Sequence, residues 1–385
     1  MLPYLGPVEG RILLFGATGY TGRLTAHSLV RSGLPVVLVG RSLDRVRALA
    51  EELAPLTLLG QPCETARADA DDPASVRSLL DSKDDVLLST VGPFVRHGKA
   101  AVEAVIDAGA AYVDSTGEAP FIRWVFEEAG PRAARSGARL LPAFAYDYVP
   151  GNLAGALAID QASRLGRQAV RLEIGYFVRG GMGISSGTRA SAVGVLVEPS
   201  YAFRNGQLLA ERAGARTTTF AIDSQAKVAG ASIGASEQFT LPRLSPALRE
   251  VDVYLGWAGR LTRPISALGA VGNLALRLPG ARPAARRLAQ AVTGSTTGVG
   301  PDAEQRSGSS TLVLARAFDA SGSGVADIRL TGPTPYELTA DLLAWGARMC
   351  LQAGTTATGA LGPVDAFGLE SCIEGCADAG LATEE

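Results

Sequence analysis

A chain of 385 residues with 36 Lys and Arg against 38 Asp and Glu has a formal net charge of −2, with its charges interspersed. No basic block recommends a nucleic acid or an anionic membrane as partner, so a small molecule is the expected ligand. Four scattered cysteines and only two histidines, His27 and His97, build no zinc-ligand spacing, so no metal is expected and a reducing cytoplasm fits best. The first residues lack the basic and apolar regions of a signal peptide, and no apolar run is long enough to span a bilayer.

Residues 11–142 alternate short β-branched runs with helical stretches. Strands are expected at 11–16, 35–40, 63–68, 85–90, 110–114 and 138–142, with helices near 20–32, 42–54, 72–81, 98–108 and 119–136. Several of these helices end at a glycine, such as Gly33, Gly109 or Gly137, as C-caps do. This is the grammar of an α/β fold with a doubly wound, Rossmann-type parallel sheet. After Pro150 a helix (151–165) leads into alternating segments at 169–180, 217–223, 309–320 and 324–333. "FRNGQL" (203–208) places Asn205 and Gly206 at the centre of a type I′ hairpin, where both residues need positive φ. The expected division is a nucleotide-binding domain over 1–150, a mostly antiparallel α+β substrate or dimerisation domain over 151–332, and helices over 333–385 that pack back on the first.

Gly16, Gly19 and Gly22 follow the first strand and open the first helix, the context in which glycines admit a pyrophosphate to a helix N-terminus. Thr18, Tyr20 and Thr21 of the same turn join them as cofactor candidates. After the second strand stand Arg41 and Ser42, with no acid before Asp44. A guanidinium there suits a 2′-phosphate, so NADP(H) is expected over NAD(H). The alternative pairs Arg41 with a surface acid and uses Asp44 as a helix cap; Arg45 is a second phosphate contact or a solvated residue. Asp69 is either an adenine contact or the cap of the helix after "DADDP". Val91, Gly92, Pro93 and Phe94 turn the chain after the fourth strand, where the nicotinamide end of the cofactor is expected.

Three blocks, "GATGYTG" (16–22), "TVGPFVRHGKAAVEAVIDAGAAYVDSTGE" (90–118) and "YDYVPGN" (146–152), resemble the saccharopine dehydrogenase-like oxidoreductases in order and spacing. "GISSGTRAS" (183–191) and "GALGPVDAFG" (359–368) resemble the branch of trans-acting enoyl reductases. Where that family commonly has phenylalanine-aspartate-serine and proline-serine-aspartate, this chain has Tyr146-Asp147-Tyr148 and Pro150-Gly151-Asn152. The resemblance implies NADPH-dependent reduction of an enoyl substrate, with an acyl carrier or polyketide synthase as partner. Imine chemistry, as in the name-giving enzymes, is the second reading. A non-catalytic NADPH-binding regulator is the third.

Hydride transfer needs a proton source and a positioned acceptor. Tyr146 and Tyr148 are candidate proton donors, and Asp147 a partner for a cofactor amide or an iminium. Their alternative is a cap at Asp147 and a domain seal at the tyrosines. His97 is a candidate acid or a structural residue at a helix start. Ser115 and Glu118 follow the fifth strand and are substrate candidates. Ser186 and Thr188 are too, unless they cap a helix over 188–198. The stretch 251–281 reads as apolar helix carrying Arg260, Arg263 and Arg277. Ordinary helix packing is its plain reading; the others are a cover for a lipophilic acyl chain, a homodimer face and a membrane-surface segment.

Overall fold

The computed structural model describes residues 10–58, 60–180, 198–223, 226–256, 262–264, 266, 300–352 and 357–384. The chain divides into two compact units. The first takes residues up to Thr116, Phe121–Asp147 and Tyr336–Ser371; the second takes Gly117–Pro120, Tyr148–Pro335 and the residues from Cys372 onward.

The first unit is built on strands β1 (Ile12–Phe15), β2 (Val36–Gly40), β3 (Glu64–Arg67), β4 (Val86–Ser89), β5 (Ala111–Asp114) and β6 (Arg139–Leu141), each within two residues of its expected bounds. Every residue of β1, β2, β4 and β5 is buried, as a parallel sheet covered on both faces requires. A seventh strand, β15 (Gly359–Ala360), completes the parallel order β15-β6-β5-β4-β1-β2-β3. The chain reverses direction across the sheet between β1 and β4, and that switch point opens a crevice at the C-terminal edge.

Helices α1 (Tyr20–Arg31), α2 (Leu43–Leu53), α3 (Pro73–Arg77) and α4 (Phe94–Ala108) connect the first five strands. α3 is shorter than expected because Asp72 caps it and Ser78 already ends it. α4 starts four residues early, since Pro93 occupies its N-cap and needs no N–H there. After β5, α5 (Ala119–Trp124) runs through one π-helical turn (Val125–Ala129) into α6 (Gly130–Ser136). A Cβ on Gly130 would come within 2.9 Å of Ala360 Cβ, so that glycine admits β15.

The second unit begins with α7 (Val149–Arg164) and holds β7 (Arg171–Gly180), β8 (Ser200–Arg204), β9 (Gln207–Glu211), β10 (Thr217–Ala221), β11 (Lys227–Ile233), α8 (Glu237–Leu244) and β12 (Glu250–Leu255). It continues through α9 (Ala303–Ser307), β13 (Ser309–Phe318) and β14 (Gly324–Gly332). The sheet order is β10-β11-β12-β7-β13-β14-β16, with β16 (Ala382–Thr383) at one edge and the β8–β9 hairpin beside β12. Asn205 (φ 52°) and Gly206 (φ 76°) form the positive-φ turn of that hairpin. All pairs are antiparallel except β7 with β12.

One expectation is corrected: residues 251–255, read as the start of an apolar helix, belong to the strand β12, buried between β7 and β11. Their β-branched valines alternate with polar residues, a period of two that the apolar run after them masked. Most of 257–281, with Arg260 and Arg277, lies outside the described residues. Arg263 is exposed and donates to Thr219 Oγ1 at 3.2 Å.

The remaining helices are α10 (Pro335–Leu351), α11 (Pro363–Phe367) and α12 (Leu369–Asp378). In the first unit α10 meets α1, where Ser28 Oγ donates to Asp341 Oδ1 at 2.6 Å. Among the described residues, no helix is long and apolar enough to cross a membrane, and no three His, Cys, Asp or Glu cluster as a metal would need.

Candidate active site

The turn after β1 is shaped by absent side chains. Gly16 has φ +91°, and a Cβ on it would strike Thr90 Oγ1 at 2.8 Å and Val91 Cγ2 at 2.9 Å. A Cβ on Gly22 would lie 2.2 Å from Gly16 O. The first turn of α1 therefore presses on the preceding loop, which the N–H groups of Gly16 and Ala17 tie to Val39 O at 3.0 and 3.1 Å. Gly19 is the N-cap of α1 and supplies no side chain to close its first turn. This leaves the positive end of the helix dipole turned to the crevice, with Thr18, Gly19, Tyr20 and Thr21 all partly accessible. The cradle fits the pyrophosphate of a dinucleotide. Tyr20 is held edge-on against Tyr336 of α10, ring centroids 5.0 Å apart.

At the end of β2, Arg41 is exposed and its guanidinium forms no ion pair among the described residues. Ser42 is the N-cap of α2 without a capping side-chain bond, and Asp44 is exposed in the first turn. Past β3, Asp72 and not Asp69 caps α3, its Oδ1 accepting from Ser75 N. Asp69 is instead partly buried, and its Oδ1 accepts from Asp71 N at 3.1 Å. His97 Nδ1 lies 3.1 Å from Asp71 Oδ1. That pair turns His97 towards the β3 edge, on the opposite side of β4 from β6 and the loop that follows it.

Val91 and Gly92 stay partly or fully accessible at the end of β4. Pro93 caps α4, and Phe94 turns inward against Phe121, centroids 5.7 Å apart. Its ring shapes the turn from behind.

The loop after β6 is clamped. Asp114 Oδ1, at the end of β5, accepts from Thr116 N and Ala143 N, both at 2.8 Å, and Asp114 O accepts from Phe144 N at 2.7 Å. Ala143 holds φ +58°, a left-handed conformation that an alanine adopts only under such constraint. Phe144 packs on Trp345 (5.5 Å) and Phe367 (5.9 Å), and a Cβ on Gly346 would meet its ring at 2.5 Å. Tyr146 N donates to Thr339 Oγ1 at 3.2 Å. Ser115, next to Asp114, is partly accessible.

The clamp presents Asp147. The residue is partly accessible, but its Oδ1 is shut off from solvent and has no hydrogen-bond partner among the described residues. Burial without a compensating charge pushes its carboxyl up to about 7. The two tyrosines differ: Tyr146 and Tyr148 are only 3% and 2% exposed. Of the three, Asp147 is thus the one whose carboxyl is raised towards neutrality by burial. Sequence reasoning had weighed the residue types without their burial.

In the second unit, Tyr148 OH points to Gly117 O at 3.5 Å and its ring meets Tyr176 at 5.7 Å. Glu118 is buried in the same unit. Tyr176, Glu237, Ser236 and Thr240 were not foreseen, yet they account for "PGN". Tyr176 OH donates to Glu237 Oε1 at 2.6 Å and accepts from Gly151 N at 3.0 Å. Asn152 Nδ2 donates to Tyr148 O and Ser236 Oγ, and Thr240 Oγ1 donates to Asn152 Oδ1. A Cβ on Gly151 would stand 2.0 Å from Tyr176 OH, which is why a serine has no room there. Ser186 and Thr188 lie outside the described residues.

Residues 12–140 match the family model of the saccharopine dehydrogenase NADP-binding domain. The chain is 36% identical over 196 residues to a Mycobacterium tuberculosis protein provisionally named a trans-acting enoyl reductase, over 49% of this chain and 45% of that protein. It is 37% identical over 147 residues to the trans-acting enoyl reductase of Mycobacterium ulcerans, over 38% of this chain and 34% of the other. The chain thus spans less than half the length of either relative. Its fold matches apo saccharopine dehydrogenase (L-Glu forming) from Saccharomyces cerevisiae with a TM-score of 0.60 at 13% identity, covering 98% of this chain and 99% of that one. Homospermidine synthase from Legionella pneumophila in complex with NAD follows at 0.58 and 9%, covering 98% and 92%. The glycine cradle at the switch point lies within the segment, residues 12–140, that matches the saccharopine dehydrogenase NADP-binding domain.

Proposed function

We propose that this protein is an NADPH-dependent reductase of an activated carbon–carbon double bond in an acyl substrate, with Asp147 as the proton source. The observation that carries this reading is the clamped, partner-less carboxyl of Asp147, which holds its proton up to about pH 7 at the C-terminal edge of the nucleotide-binding sheet. Saturating an enoyl thioester requires a hydride at the β-carbon and a proton at the α-carbon, and NADPH supplies the hydride when bound. Asp114, Thr339 and the Phe144 anchor hold the loop that offers the proton. Gly16, Gly19 and Gly22 admit the phosphates, and Arg41 with Ser42 receives the 2′-phosphate. His97 is left to the β3 edge by its bond to Asp71. The enoyl reductase names of the relatives support the choice of a C=C over a C=N acceptor. An acyl group delivered by a carrier or synthase partner belongs to the same proposal.

The test uses NADPH deuterated at its transferable position, incubated with the protein and a panel of enoyl thioesters, cyclic imines, and amino acid plus aldehyde pairs. Mass spectrometry reads the products. Deuterium in a saturated acyl product is the expected result. Deuterium in an amine moves the protein to imine reduction, and binding of NADPH without transfer to any acceptor overturns the reductase reading in favour of a sensor.

A further inference from the structure

The C-terminal edge of the first sheet carries a cation that the sequence pattern did not single out. Arg67 ends β3 opposite Gly40 of β2, one position before Arg41. Its Nε donates to Arg41 O at 3.3 Å, which fixes the Arg67 head beside the Arg41 backbone. Along the same edge, Phe15 is level with Val39, so the phosphate turn at Gly16, the end of β2 and Arg67 follow one another across three adjacent strands. Neighbouring strands lie about 4.8 Å apart, close to the reach of a ribose and its phosphate.

Charge makes the placement informative. Arg41, Arg45 and Arg67 are all exposed, and none forms an ion pair among the described residues. On the neighbouring helix α1, by contrast, Arg23 is paired with Glu52 at 2.5 Å. Asp44, exposed in the first turn of α2, forms no ion pair with any of the three among the described residues, so their like charges repel one another, and a bound dianion converts that repulsion into attraction. We infer that Arg67 is a second guanidinium for the 2′-phosphate of NADP(H), acting with Arg41 to set the preference over NAD(H). The inference rests on the proposed placement of the 2′-phosphate at Arg41, and not on which bond is reduced.

Fluorescence titration of the full chain with NADPH and NADH, and calorimetry with 2′,5′-ADP and 5′-ADP, test it. Arg67→Ala should weaken NADPH and 2′,5′-ADP by about tenfold or more, the effect of losing one charge-assisted contact, and leave NADH and 5′-ADP within about twofold. Arg67→Lys should fall between, because a point charge replaces the fork. The salt dependence of NADPH binding should become shallower in Arg67→Ala. Equal losses for NADPH and NADH would show a contact to adenine or a structural role, and unchanged NADPH affinity would show a solvated arginine; either overturns the inference. Wild-type protein that binds both cofactors alike overturns it too, by removing the 2′-phosphate from this edge. Failure of enoyl reduction leaves these binding results unaffected.

Discussion

Asp147 is costly to the fold wherever it is ionised, because its Oδ1 is buried with no donor among the described residues to stabilise the charge. The sign follows from linkage: a carboxyl held at about 7 when folded and near 3.9 when unfolded keeps a proton in the folded state that the unfolded chain has already lost. Stability therefore falls as pH rises from about 4 to about 7 and is level above. Asp147→Asn should raise stability by about 2–4 kcal/mol at pH 8 and change little at pH 4, as denaturant titrations at the two pH values would read. The same variant should lose product formation by about 100-fold or more while binding NADPH normally. In wild type the rate should decline above pH 7, and in the variant that limb should vanish. Gly151→Ser is the second residue-scale expectation. Its side chain would enter the space of Tyr176 OH and Glu237 Oε1, costing about 1–3 kcal/mol and loosening the start of α7. The sequence made Asp147 visible as a candidate, but not its burial or its raised carboxyl. An aspartate's chemistry depends on what surrounds it, and here the loop that carries it is held by Asp114, by Thr339, 193 positions beyond Tyr146, and by the packing of Phe144.

The loop after β6 shows how elements share one task. β5 supplies the carboxylate that holds Ala143, α10 supplies Thr339 and Trp345, and α11 supplies Phe367. Phe144→Ala removes the apolar anchor common to α10 and α11, and should cost about 3–5 kcal/mol, read as a lower midpoint in thermal unfolding. It should also return the Asp147 titration towards the ordinary carboxylate range as water enters, a shift measurable in the pH–rate profile. The parallel strands were legible because strands buried on both faces must be nearly continuous runs of Val, Leu and Ile. β12 was less legible because an apolar run continues past it and hides its alternation. β15 offers two small residues and no pattern at all. The π turn between α5 and α6 leaves no sequence mark, since it costs the chain only one extra residue in a helix.

At the scale of the molecule, the first unit is assembled from three separate stretches of chain, with most of the second unit inserted before the third. A fragment of residues 1–150, the natural cut suggested by sequence, would lack β15 and the helices that hold Phe144. Its β6 would become an unpaired sheet edge. Such a fragment should aggregate or show non-cooperative unfolding, whereas residues 10–147 joined by a flexible linker to 336–371 should unfold in one transition that NADPH raises; differential scanning calorimetry of the two separates these outcomes. The two-residue strand β15 also sets a timetable. A chain leaving the ribosome exposes its nucleotide-binding half first, yet that half waits for residues 336–371 before its sheet can be closed. The inserted unit, though later to begin synthesis, has nearly all of its strands in hand before then. During that interval the cell holds an open-edged sheet that only residues 336–371 complete, so chaperone demand should concentrate on the stretch made before them and be relieved once they emerge.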